Sequence, residues 1–340
     1  MEMKIKKAAC HILAGLAIPE TVNRWFLYNR LAILTYHAVI TEPMAISDSC
    51  FIDAKSFQDQ MQYIRKHFSV LPLSEAIDSC LGGRLTSPSV AITFDDGYQN
   101  NYDVAFPVLR ELGIPATIFL TTGYTDTDDT PWFCRLRYAF ANTKKQKMHW
   151  DGIRYDLRTP DEKAGTSSSL RARLKEKPFP RLMDELRGIV TELGDAPDRP
   201  VPAHSPYRML SSGAIAEMVD SRQIEFCSHT HNHAILSLLP ADEQRKQIGR
   251  SVDSVRHLTG QSCRIFSYPN GLASDYNRDT IEILGQRGIR AAVTGIKGGN
   301  STGTPAMELR RYGIGANTDM AVFQVIIHHV VWMLNRMVRP

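Results

Sequence analysis

The 340 residues contain six cysteines, at positions 10, 50, 80, 134, 227 and 263, but no Cys-x-x-Cys pair. A zinc ribbon or a dithiol redox centre is therefore not expected. Cys227 and Cys263 fall in apolar, strand-like stretches and read as buried free thiols, which favours a reducing compartment. The chain also lacks an uninterrupted apolar run of the ~20 residues needed to cross a bilayer. The nearest approaches are Ala8 to Pro19, preceded by Lys4, Lys6 and Lys7, and Ala321 to Leu334, followed by Arg336 and Arg339. The first contains Cys10 and His11 and leads into Glu20 without a convincing cleavage site, so it reads as an amphipathic helix over 1–30 rather than a cleaved signal. The second reads as a C-terminal amphipathic helix over 321–340, docked on the domain or resting at a membrane interface. The expected location is cytoplasmic or membrane-associated, with peripheral membrane contact at most. Excess charge is absent too: 40 basic residues against 36 acidic ones leave a net charge of +4, spread along the chain, and give no case for nucleic acid binding.

With 43% hydrophobic and 22% charged residues the chain has the composition of a globular protein with a large core. Apolar runs alternate with helical patterns and there is no internal repeat, which predicts an α/β fold around a mostly parallel sheet. The strand candidates are 31–36, 69–71, 90–94, 116–121, 224–227, 264–267 and 291–294. Helical patterns run from Tyr102 to Leu112, ended by Gly113 and Pro115, and from Pro240, taken as a first helical residue, to Gly260. Residues 124–206 break the rhythm with Asp126, Asp128, Asp129, a Ser167–Ser169 run and prolines at 178, 180, 197, 200, 202 and 206. They read as a partly helical, irregular insertion into a domain spanning 31–320, of the kind that often carries function.

Two segments carry chemistry. In Val90-Ala91-Ile92-Thr93-Phe94-Asp95-Asp96-Gly97-Tyr98 an apolar strand runs into paired carboxylates and a glycine turn. One carboxylate can bind a cation while the other takes a proton from water that the cation acidifies. An Asp-Gly helix cap is the competing reading. In Ser228-His229-Thr230-His231-Asn232-His233, also after an apolar strand, His229 and His233 are four apart. One helical turn would put both imidazoles on one face, a spacing suited to zinc and similar metals; a surface histidine cluster is the alternative. His231 would point elsewhere. One Asp and two His leave a coordination position for water, as catalytic metal sites do.

Thr-Phe-Asp-Asp-Gly followed far downstream by His-Thr-x-x-His resembles the polysaccharide deacetylase (NodB-homology) family of carbohydrate esterases. Leu34-Thr35-Tyr36-His37, Pro115-Ala116-Thr117-Ile118-Phe119 and Phe266-Ser267-Tyr268-Pro269-Asn270-Gly271 extend the resemblance from about Leu31 to Gly315. It implies a distorted (β/α)7-type barrel with an inserted segment and terminal helices. It implies Asp95 as general base, Asp96, His229 and His233 as ligands of one divalent ion, zinc by preference, and the Asn270 backbone N–H as oxyanion donor. The implied reaction removes N-acetyl groups from amino sugars of a bacterial polysaccharide or lipid-linked precursor, so the partner is carbohydrate.

This sequence departs from the family's usual pattern in two places. Ser267 stands where many members have the Arg that orients the base, and Asn270 where they have Tyr, which is closer to the Tyr-Pro-Tyr-Gly form of exopolysaccharide-associated members. Arg310 or Arg311 is then the candidate to orient Asp95, with a solvated surface charge as the alternative for each. No histidine occurs between His257 and His328 to serve as the usual acid. His37, at the end of the first strand, is nominated instead, against a structural role. Tyr98, Tyr268, Trp132 and Tyr138 are candidates to line a sugar groove, although packing competes for each ring. A catalytically weak carbohydrate-binding relative, or a hydrolase of another non-peptide C–N bond, are the rival functions.

Overall fold

The structure, a computed structural model, describes residues 10–12, 15 and 30–328. Seven parallel strands close into a barrel in chain order: β1 (Leu31–Tyr36), β2 (Ser89–Phe94), β3 (Ala116–Leu120), β4 (Ile224–Ser228), β5 (Ile265–Ser267), β6 (Ala291–Lys297) and β7 (Leu309–Gly313). β1 and β2 pair from Leu31↔Ser89 to Tyr36↔Phe94, and β7 closes the ring at Leu34↔Tyr312. Six of these seven strands coincide with predicted ones. The predicted strand at 69–71 pairs with the start of β2 as an addition to the barrel, and β7 is a strand that the apolar pattern does not announce.

The period of two along a strand explains the rest of the architecture. Ala32 and Leu34 of β1, Val90, Ile92 and Phe94 of β2, Ile118 of β3 and Phe226 of β4 point outward. They form the main core with helices such as Ala54–His67 and Ala241–Thr259. The alternate residues Leu31, Ile33, Ala91, Phe119, Cys227, Ile265, Val293 and Leu309 fill the barrel interior, and the helix Leu73–Leu81 adds Leu73, Ala76, Ile77 and Cys80 to that cluster, closing the end where the strands begin. Continuing each inward row toward the strands' C-terminal ends changes its chemistry: Thr35, Thr93, Asp95, His229, Ser267 and Arg311 are all buried and polar. A one-residue slip in any strand would move these groups to the helix side.

Helix boundaries follow local chemistry. Pro240 caps the helix Ala241–Thr259 from outside rather than opening it, and Gly260 ends it at φ 66°. The 102–112 pattern is a π turn, Asn101–Ala105, feeding the helix Phe106–Leu112. The insertion between β3 and β4 is helical in large part, as expected, and more regular than its composition suggests. It holds the helices Trp132–Asn142, Pro160–Lys175 and Phe179–Glu192 and an antiparallel hairpin, Lys147–Trp150 with Ile153–Asp156. These elements share their own core of Trp132, Leu136, Phe140, Met148, Leu174 and Ile189. Of the predicted C-terminal helix, Met320–Ile327 is described, with Phe323, Val325 and Ile327 buried. The remainder of that helix, and the N-terminal one apart from residues 10–12 and 15, lie outside the described residues. Among the described residues no helix is long and apolar enough to cross a membrane.

Candidate active site

The polar ends of the inward rows meet in a cavity of about 180 Å³ at the C-terminal mouth of the barrel, lined by His37, Asp95, Asp96, His229, His233 and Arg311 among others. This is the end at which barrel enzymes place their chemistry. Asp95 points inward by strand parity, and its neighbour Asp96 would ordinarily point the other way. The backbone prevents that: Asp96 (φ 74°) and Gly97 (φ 83°) are both left-handed, and the turn is tied by the Gly97 N–H to Asp95 O and the Thr121 N–H to Asp96 O, at 3.0 and 3.1 Å. A Cβ at Gly97 would also lie 2.8 Å from Leu120 Cδ2, so the positive φ and the crowding together favour glycine there.

His229 follows β4 directly. Its ring Nδ1 lies 2.8 Å from Ser267 O, so this nitrogen carries the proton and Nε2 is left as a free lone pair. His233 does not sit one helical turn later. Residues 229–235 form a loop in which Thr230 (φ 66°) and His233 (φ 56°) are left-handed, and this folded-back path, not a helix, returns the second imidazole to the first. The Phe133 ring from the insertion packs edge-on against His233 at 4.7 Å. The Nε2 atoms of His229 and His233 lie 3.5 and 3.3 Å from Asp96 Oδ1.

These three side chains are buried, and their ligand atoms lie within 4.8 Å of one another. Asp96 Oδ1 is a buried oxygen with no hydrogen-bond partner among the described residues. Tetrahedral ligands about 2.0–2.2 Å from an ion are themselves roughly 3.3–3.6 Å apart, the spacing found here between Asp96 and each histidine. The donor set therefore fits a divalent metal ion. Burial would raise the Asp96 carboxyl, but the His233 imidazole beside it, with His37 and His229, holds it far below the usual carboxylate range. Burial pushes His229 down to about 4 against the pull of Asp95, so it is neutral and ready to ligate near neutral pH.

Asp95 is held by Arg311. The guanidinium donates Nη1–H to Oδ1 at 2.8 Å and Nη2–H to Oδ2 at 2.7 Å, its Nε–H reaches Thr294 O, and Nη2 also donates to Ser267 Oγ at 3.0 Å. Both partners are buried. Burial alone would raise the Asp95 carboxyl; the Arg311 charge, with His229, reverses this and keeps it ionised. Of the two candidate arginines, Arg311 is thus the one that orients Asp95. Arg310 is the next residue along β7, points the opposite way and is exposed.

His37 lines the cavity with its Nδ1 buried and without a partner among the described residues. Asn270 (φ 56°) lies at the cavity edge in a turn that packs backbone to backbone on β6, because Gly271 and Gly295 leave no Cβ between them. Its backbone N–H has no acceptor among the described residues. Tyr98 lines the cavity floor, 1% exposed, with its hydroxyl 3.1 Å from Cys134 Sγ. Tyr268 is a correction. Its parity sends it outward, where it stacks on Tyr276 at 4.0 Å and donates to Met307 O, so it does not face the cavity. Trp132 belongs to the insertion core, and Tyr138 lines a separate groove. His231 turns aside to Thr122 Oγ1 at 3.1 Å.

A family profile described as polysaccharide deacetylase matches residues 82–162 and 198–292, together more than half of the chain. The chain belongs to the polysaccharide deacetylase family. It is 31% identical over 93 residues to a putative polysaccharide deacetylase, YxkH, of Bacillus subtilis, covering 27% of this chain and 32% of that protein. It is 42% identical over 71 residues to the poly-beta-1,6-N-acetyl-D-glucosamine N-deacetylase of Staphylococcus epidermidis, covering 21% and 25%. These matches thus span a third or less of each relative's length. Among solved structures, the fold is shared with the Streptococcus pyogenes deacetylase PplD in complex with acetate (TM-score 0.58, 19% identity, 88% of this chain and 98% of that one). It is shared also with IcaB from Ammonifex degensii (TM-score 0.53, 21% identity, 87% and 97%).

Several cavity residues escape the motifs: Asp48, Cys50, Phe133, Arg171 and Lys175. The last three come from the insertion. One signal was available in the sequence, since Arg171 and Lys175 stand four apart on a helix and so share a face.

Proposed function

We propose that this chain hydrolyses the acetamide of an N-acetylated amino sugar in a bacterial polysaccharide or its lipid-linked precursor, using one divalent ion, zinc, held by Asp96, His229 and His233. The observation that carries the reading is the convergence of those three ligand atoms beside an ionised carboxylate, Asp95, that is not needed as a fourth ligand and is fixed by Arg311. A bound ion would supply Lewis acidity, lowering the pKa of water and polarising the acetyl carbonyl. Asp95 accepts the proton from the attacking water. Its low basicity is the consequence of the Arg311 pair, and its fixed orientation and constant ionisation are the return. The Asn270 N–H points a neutral donor at the oxygen that gains charge. His37, with a ring nitrogen unclaimed by the fold, gives a proton to the departing amine. The name of the S. epidermidis relative supports a β-1,6-linked N-acetylglucosamine polymer as the first glycan to try.

The test is acetate release by metal-reconstituted protein across defined N-acetylated oligosaccharides and lipid-linked sugars. Turnover that disappears with chelation and returns with zinc is expected. A protein that binds these glycans and zinc but releases no acetate would instead be a carbohydrate-binding relative.

A further inference from the structure

Arg171 and Lys175 reach the active-site cavity from the insertion helix Pro160–Lys175. They are four residues apart on one helix, the spacing at which like charges repel, and both are half-buried. Neither has an ion-pair or hydrogen-bond partner among the described residues, whereas the acids around them are engaged. Asp48 pairs with Arg137 at 2.8 Å, Asp95 with Arg311, and Asp275 accepts the Leu272 N–H at 2.7 Å. Asp96 faces the two histidines. Desolvation and the Arg171 charge both push the Lys175 ammonium down. Placing two uncompensated cations at the mouth of an active site costs stability, and an anion seated between them would recover it.

We propose that Arg171 and Lys175 form an anion subsite, so that the favoured substrate carries a phosphate or carboxylate on the N-acetylated sugar or on its neighbour. This deepens, and rests on, the deacetylase reading. Arg171 supplies a planar two-donor fork for the oxyanion, and Lys175 a point charge on the same face. The subsite belongs to the insertion rather than to the barrel, so it sets specificity without touching the hydrolytic groups.

The experiment measures dissociation constants of full-length, metal-loaded protein by calorimetry for three probes: di-N-acetylchitobiose, N-acetylglucosamine 1-phosphate, and a glucuronate–N-acetylglucosamine disaccharide. Acetate release from each is followed in parallel. At least one anionic probe should bind tenfold or more tightly than the neutral one, less so at high salt, and which one does so separates phosphate from carboxylate. The Arg171→Gln/Lys175→Gln double variant should shrink that ratio to about twofold or less. Arg171→Lys, which keeps the charge, should retain most of it, and melting curves check that all variants fold. Equal binding of neutral and anionic probes, a ratio untouched by the double variant, or an effect confined to inhibition by product acetate would overturn the proposal. Anion preference without acetate release from any probe would sink the deacetylase reading and leave the subsite standing. Acetate release with no anion preference would do the reverse.

Discussion

Asp95 carries a charge that the barrel interior would not tolerate alone, and the Arg311 guanidinium is what makes it tolerable. Removing one partner of a buried ion pair is far worse than never having had the pair. Arg311→Gln should cost about 3–5 kcal/mol of stability by this rule, read by urea unfolding. It should also lower kcat, because Asp95 then loses its orientation and tends to protonate. Arg311→Lys keeps the charge but cannot form the two-toothed bond, so it should recover stability better than kcat. An Arg311→Lys enzyme with wild-type kcat would show that the fork does not matter. The histidines are a different case. His229→Ala deletes a ligand whose Nδ1 bond to Ser267 O is one among many buried contacts. The fold should survive while elemental analysis finds the metal lost; full occupancy in that variant would contradict the ligand assignment.

Two short backbone devices turn separate strands into one site: the left-handed Asp96-Gly97 pair and the folded-back 229–233 loop. Gly97→Ala tests the first. The new Cβ meets Leu120 and a disfavoured φ, at a cost of about 1–3 kcal/mol for such strain. Metal affinity should fall along with stability, since Asp96 rides on the same turn; unchanged zinc affinity would mean that the turn does not place the ligand. The Asp-Asp-Gly and His-x-x-x-His motifs were readable because their residue types are rare together at strand ends. The loop geometry was not: a four-residue spacing predicts a helical turn, and only the positive φ angles of Thr230 and His233 produce the convergence otherwise. β7 went unread for a related reason. Leu-Arg-Arg-Tyr-Gly has two adjacent charges in the middle of a five-residue strand, which breaks apolar patterning, and one of them is Arg311. The strand hidden from the pattern is the one that brings the counter-ion of Asp95, as expected where chemistry overrides local preference. Tyr268 misled in the opposite sense: it sits in a motif, but strand parity turns it to the helix side.

The whole molecule is a barrel with a second, smaller core attached between β3 and β4, and the two meet at the active site through Phe133, Arg137, Arg171 and Lys175. Polar composition and prolines made this insertion look irregular, because its core draws on few positions per helix: Pro160–Lys175 buries only Thr166, Ser167, Leu170 and Leu174. Leu174→Ala, at a side chain 1% exposed, should cost about 2–5 kcal/mol locally. Amide exchange should quicken across 132–192 while β1 to β7 stay protected. A uniform loss of protection across both cores would contradict their partial independence. At this scale the proposal to be tested is that the barrel mouth, the Asp96, His229 and His233 triad and the Asp95 carboxylate act together in metal-dependent deacetylation. Asp95→Asn tests it most directly, since it keeps shape while removing the proton acceptor. Zinc content and acetate release should be measured together on the wild type and this variant. Full zinc occupancy is expected in both, with a fall in kcat of about 10²-fold or more in the variant; a kcat within twofold of wild type at equal zinc content would rule out Asp95 as the base.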